Sequence, residues 1–265
     1  MILGTVDLQD EAVKRTSVPG RNGKRSMRET KRYIMPTPIM TWGLAGVSIA
    51  MWVVVLCMEG LDPDIAAYLS YGANFGPMTC DGQWWRMLTN SFVHFGFWHL
   101  YGNMLCMITF GTILEMKIGH ALFLSTYILT AFMGSLFSLF IHPTTVCAGA
   151  SGAVFGIWGA TMAYFVTIGI KAGGDRDFFR ACAKDALIFL GINFLFSLLP
   201  SVDFAAHVGG LVTGVVLGVV MAIPLRHGDR FIASNWYDRS IKLAAVILSS
   251  VLLVSVFFGG GASTK

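Results

Sequence analysis

Two polar residues stand at the heads of two apolar stretches of this chain. Ser151 lies in Cys147-Ala-Gly-Ala-Ser-Gly-Ala-Val-Phe155-Gly156, where one apolar run begins, and His207 opens another, 56 positions later. A serine hydroxyl is a poor nucleophile until a base takes its proton. An imidazole, with an unperturbed pKa near neutrality, is suited to take it. The pair therefore points to acyl transfer through a serine nucleophile. The tetrahedral intermediate of that chemistry needs donors aimed at its oxyanion. Ser151, at a helix start, offers free backbone N–H groups and the positive end of the helix dipole. His99 and Asn103, at i and i+4, share a helix face and can direct side-chain N–H groups at the same oxygen. Gly149 and Gly152 keep side chains away from the approach to a scissile carbonyl. No carboxylate is placed to orient His207, because Asp203, four residues earlier, sits where a helix cap is wanted. The residues read as a Ser–His dyad. Phe155, one turn beyond Ser151, can either stack on the imidazole or simply fill the core.

The rest of the chain has to position these groups. It has 265 residues, 55% hydrophobic and 13% charged, against about 25% charged in average soluble domains. Seven long apolar runs exclude an ordinary soluble domain and predict a polytopic helical membrane protein. The runs are 39–58, 98–116, 120–141, 151–170, 186–199, 204–223 and 241–258, with Pro200 and Pro224 ending the fifth and sixth. Residues 59–90 are too many for a hairpin. With Trp84-Trp85-Arg86 among them, they predict a partly helical structure in the outer headgroup layer.

Charge gives the orientation. Eight Lys or Arg fall in the first 32 residues, and more lie in the loops 117–119, 171–184 and 225–240. The intervening loops carry almost none except Arg86. This alternation predicts a cytoplasmic N-terminus and an outer C-terminus. Residues 1–36 read as a mobile basic tail that can also meet anionic lipid headgroups. No aromatic platform interleaves those charges, so nucleic acid is not an expected partner. The 38 residues ahead of the first run are too many for the n-region of a signal peptide, and none is expected. The five cysteines show no metal-ligand spacing; Cys80 and Cys147 should both lie on the outer side, where a disulfide between them can be considered.

With this topology, the second, fourth and sixth spans run from outside to inside. Ser151, His207, His99 and Asn103, with His94 just ahead, then all fall in the outer third of the membrane, although they come from three separate regions. Polar groups at such depth face a cavity or each other. Helical phase agrees. His207, Gly210, Gly214 and Gly218 share one face, Gly152 and Gly156 form a second small-x3-small pair, and such faces let two backbones approach closely. Packing them together brings His207 beside Ser151. A packing seam alone would explain the glycines, but not the polar residue at the head of each seam. A metal site from His94, His99 and His207 lacks a carboxylate or thiol to complete it. A proton-coupled transporter would place its polar groups near mid-bilayer on broken helices.

These motifs resemble the rhomboid family of intramembrane serine proteases. The resemblance covers about residues 40–224. It rests on Trp85-Arg86, on His94-x4-His99-x3-Asn103, on Gly149-Ala150-Ser151-Gly152, and on Ala206-His207-x2-Gly210-x3-Gly214. It implies an all-α membrane protein: a rhomboid-like six-helix transmembrane core at 37–224, after the tail at 1–36. An inner linker and a seventh C-terminal transmembrane helix would occupy 225–265. It also implies Ser151 as nucleophile and His207 as general base. His99, Asn103 and the Ser151 amide would form the oxyanion hole, with His94, Phe155, Gly149 and Gly152 in support, and no metal or other cofactor. Glu115 with Gly119 would be a structural element at the inner end of the second span. Implied substrates are single-span membrane proteins, cut near the outer end of their helix after passing between the second and fifth spans. The expected location is a bacterial inner membrane, with the site open to the outer face. An inactive relative that binds membrane clients would share the fold, but such relatives lack the serine or the histidine. One position departs from the family: a Tyr is common where this chain has Phe155, so no hydroxyl is available there.

Overall fold

A computed structural model describes residues 37–197, 202–223, 226–227 and 230–231. The basic tail at 1–36, Pro200 and the seventh run at 241–258 lie outside the described residues. The helices are α1 (Ile39–Glu59), α2 (Ile65–Ser70), α3 (Gly76–Cys80), α4 (Arg86–Thr89), α5 (Phe97–Ile118), α6 (His120–Ile141), α7 (Ser151–Lys171), α8 (Arg176–Ser197) and α9 (Phe204–Ala222). A single 3-10 turn, Asn90–Phe92, follows α4, and a two-residue antiparallel pairing joins Arg226–His227 to Arg230–Phe231.

Among the described residues, α1, α6, α7 and α9 are long and apolar enough to cross a membrane. The protein is an all-helical integral membrane protein. Helices α5 and α8 are as long, at 22 residues each, or about 33 Å at the α-helical rise. They are more polar because α5 carries His99, Asn103, Glu115 and Lys117, and the first half of α8 carries Arg176, Asp177, Arg180, Lys184 and Asp185. The apolar run expected from about Ala186 is the second half of a helix that begins ten residues earlier. Hydropathy marks where a helix meets lipid, not where its hydrogen-bonded ladder begins.

Helix α7 is the axis of the bundle. Every residue from 152 to 161 is buried, so each of its faces meets another helix. On one side lies α9, in parallel register. A Cβ on Gly210 would collide with the Gly152 carbonyl, one on Gly214 with the Gly156 carbonyl, and one on Gly218 with the Ala160 carbonyl. Helix α6 runs antiparallel along both: Gly134 lies against Ala206 and Gly152, and Gly209 against Phe137. Leu100, Met107, Leu114, Phe123, Ile157 and Leu217 fill the space between α5, α6, α7 and α9.

Helix ends are satisfied from a distance as well as locally. Glu115, fully buried in α5, accepts the Met40 N–H at 3.0 Å, the Thr41 N–H at 2.8 Å and the Thr41 hydroxyl at 2.6 Å. It thereby caps α1, whose own Pro38 offers no capping side chain. His120 pairs with the same carboxylate across Gly119, whose φ of 84° ends α5 and lets α6 begin at the next residue. Asp64 caps α2 through Ala67, and Asp203 caps α9 through Ala206.

The segment 59–96 is partly helical, as its length and composition imply. Trp84 and Trp85 are exposed, whereas Arg86 is buried. It donates to the Leu69 carbonyl at 2.7 Å, the Ala73 carbonyl at 2.8 Å and Gln83 at 2.8 Å, with Trp85 over its guanidinium. Several donors in a rigid fork let one arginine hold three turns of irregular chain. Cys80 and Cys147 are both free thiols.

Candidate active site

The four residues before Ser151 are stitched to the segment 59–96. Cys147 exchanges two backbone hydrogen bonds with Asn74, at 2.8 and 2.9 Å. The Gly149 N–H reaches the Asn90 carbonyl at 2.9 Å, and the Ala150 N–H reaches Nε2 of His94 at 3.2 Å. Asn90 is held in turn, donating to the Arg86 carbonyl at 2.6 Å and to Ser135 at 2.8 Å. The outer segment thus fixes the strand that delivers Ser151. Asn74, Asn90 and Ser135 were missed in the sequence, where nothing in their spacing marks them.

His94 is buried, and both its ring nitrogens are engaged, since Nδ1 lies 3.2 Å from the Phe92 carbonyl. Because Nε2 accepts from Ala150, Nδ1 carries the proton and donates. Burial, with His99 nearby, pushes its pKa down to about 3, so the ring is neutral. The His99 ring lies 5.4 Å from that of His94 and packs onto Gly149. Gly149 has φ of 127°, and a Cβ there would strike the His99 ring, so glycine meets both a backbone and a space requirement. Asn103 is buried one turn further along α5 and donates to the His99 carbonyl at 2.8 Å, which leaves its second N–H.

Ser151 is the first residue of α7, whose start has no side-chain cap, so the first N–H groups of the helix are not taken up by one. The next residue, Gly152, packs on the Ala206 carbonyl of α9, and His207 follows Ala206. The serine and the histidine therefore head the same parallel seam. His207 is buried, with Nδ1 lacking any hydrogen-bond partner among the described residues. Its ring is held instead by Phe155, stacked at 4.2 Å and 13°. Phe155 meets Phe189 of α8 at 5.4 Å, and Phe189 also touches Trp158 at 4.4 Å and Phe110 of α5 at 5.5 Å. No residue of α8 from 176 to 193 is buried, and Phe189 and Phe178, the latter against Gly169, are two of its contacts with the bundle. Sequence reasoning missed Phe189, one apolar residue among many in its run.

A Rhomboid domain matches residues 81–224. The chain belongs to the rhomboid family. It is similar to the rhomboid protease GluP of Bacillus subtilis (strain 168), at 28% identity over 258 residues, covering 97% of this chain and 44% of that protein. RHOMBOID-like protein 6, mitochondrial, of Arabidopsis thaliana is 33% identical over 157 residues, 58% of this chain and 49% of its own. Rhomboid-like protease 3 of Toxoplasma gondii is 28% identical over 200 residues, 74% of this chain and 75% of its own. The chain thus spans about half the length of the first two. The matched region of this rhomboid contains the chain from Asp81 to α5, with His94 and His99, as well as Ser151 and His207.

Proposed function

We propose that this rhomboid is an intramembrane serine endopeptidase that cuts single-span membrane proteins near the outer end of their transmembrane helix. The observation that carries the reading is the glycine seam of α7 and α9, headed by Ser151 on one helix and His207 on the other. Its steps follow from ordinary acyl-transfer chemistry. Nε2 of His207 takes the Ser151 proton as Oγ attacks the scissile carbonyl carbon. The oxyanion meets the α7 N-terminal amides, His99 and the free Asn103 N–H, donors worth about 3–4 kcal/mol each in such sites. The imidazolium returns its proton to the leaving amine, and water then releases the acyl group by the same steps in reverse. Phe155 holds the imidazole plane in place of a carboxylate. Substrate passes between α5 and α8, where Phe110 and Phe189 are the ring contact to be parted.

The same reading places six spans in the core, a seventh after it, the N-terminus in the cytoplasm and the site toward the outer face of a bacterial inner membrane. The test is labelling of the purified full chain with a fluorophosphonate, followed by mapping of the modified residue. The expected adduct is on Ser151, absent in Ser151→Ala, which also loses cleavage of a model single-span substrate while keeping its melting temperature. A chain that binds such substrates but neither labels nor cuts them would be a client-binding relative instead.

A further inference from the structure

Two hydrogen-bond donors from two helices meet on one carboxylate, Asp203, with the Cys147 thiol beside it, and the chemistry above does not use it. Its Oδ1 accepts the Ala206 N–H in the first turn of α9 at 3.0 Å, and its Oδ2 accepts the Ser138 hydroxyl of α6. The Cys147 thiol, in the segment leading to Ser151, lies next to the same carboxylate. Burial and that carboxylate push the thiol's pKa well up, so it stays protonated and is no nucleophile.

The positions matter as much as the bonds. Cys147 is four residues before Ser151, and Asp203 is four residues before His207. One side chain therefore ties the lead-in to the proposed nucleophile, the lead-in to the proposed base, and the helix that packs against both. We propose that Asp203 is a positioning residue that fixes Ser151 relative to His207 by clamping these three elements together. The proposal rests on the Ser151–His207 dyad. It differs from simple capping, because Asn caps a helix as well as Asp does. Asp203→Asn keeps one acceptor oxygen for Ala206, but it presents an amide N–H where the carboxylate received Ser138. The serine hydroxyl must turn to accept, and the charge beside the Cys147 thiol is gone.

The experiment uses the full chain in detergent, a model single-span substrate and fluorophosphonate labelling, all well below each variant's melting temperature. Asp203→Asn is expected to lower kcat by about tenfold with KM within about twofold, the scale of a lost charge-assisted hydrogen bond in a positioning role. Labelling of Ser151 should slow in step. Ser138→Ala, which leaves both carboxylate and cap in place, should lower kcat by about threefold. A kcat within about twofold of wild type in Asp203→Asn overturns the clamp and leaves the dyad standing. If that variant does not fold, Ser138→Ala decides, and an unchanged kcat overturns the clamp. A wild type that neither cleaves nor labels at Ser151 overturns the dyad, and the clamp with it.

Discussion

The residue that most separates folding from chemistry in this site is His94. It lies outside the spanning helices, is neutral, and spends both nitrogens on backbone: Phe92 on one side and Ala150, next to Ser151, on the other. A buried imidazole with its pKa lowered from 6.5 to about 3 stabilises the fold only while it is unprotonated. The unfolded chain takes up the proton near 6.5 and the folded one near 3, so the contribution is complete above 6.5 and is lost as pH falls through that interval. His94→Asn keeps polar bonding without the titration. The stability gap between wild type and this variant should therefore narrow by about 1.4 kcal/mol for each pH unit below 6.5. Melting temperatures in detergent between pH 7 and 4 measure it, and a gap that does not change with pH would place the ring's protonation elsewhere.

At the scale of elements, the decisive contact is backbone on backbone between α7 and α9. Gly46 of α1 has open space around it, whereas a Cβ on Gly214 would meet the Gly156 carbonyl. Gly214→Ala is therefore expected to wedge the two helices apart, costing about 1–3 kcal/mol and most of the activity, since Ser151 and His207 ride on those helices. Gly46→Ala should leave both within error or raise stability slightly, as alanine is the better helix former. Thermal unfolding and substrate cleavage of the two variants make the comparison. If both behave alike, the seam does not position the site. This seam was legible in the sequence, because small residues every fourth position have a period that one helix face can be read from. So were the four apolar runs that form α1, α6, α7 and α9. The buried Arg86 was not, because its three acceptors are Gln83 and the carbonyls of Leu69 and Ala73, and irregular chain has no period. The Asp203 cap was read, but its bond with Ser138 was not, because the two meet only once α6 and α9 are packed. Early helix in α8 escaped because its first turns are charged.

At the scale of the whole molecule, orientation follows from which end of the bundle carries fixed positive charge. Lys117 closes α5 and Lys171 closes α7, where its ammonium donates to the Ala222 carbonyl at the end of α9 at 3.0 Å. The parallel helices α7 and α9 thus end together at a basic face, and α8 adds Arg176, Arg180 and Lys184 near it. The opposite end carries Arg86, buried and hydrogen-bonded to Gln83 and to the Leu69 and Ala73 carbonyls, beside exposed Trp84 and Trp85. The positive-inside rule therefore predicts α3 outside and the start of α8 inside. Two cysteines report on this directly: Cys80 closes α3 and is exposed, and Cys182 lies in the charged half of α8, partly exposed. In a chain retaining only Cys80, a membrane-impermeant maleimide should label intact cells or right-side-out vesicles without permeabilisation. In a chain retaining only Cys182, labelling should appear only after permeabilisation. The reverse pattern would turn the molecule over, and with it the side of the membrane on which Ser151 meets water.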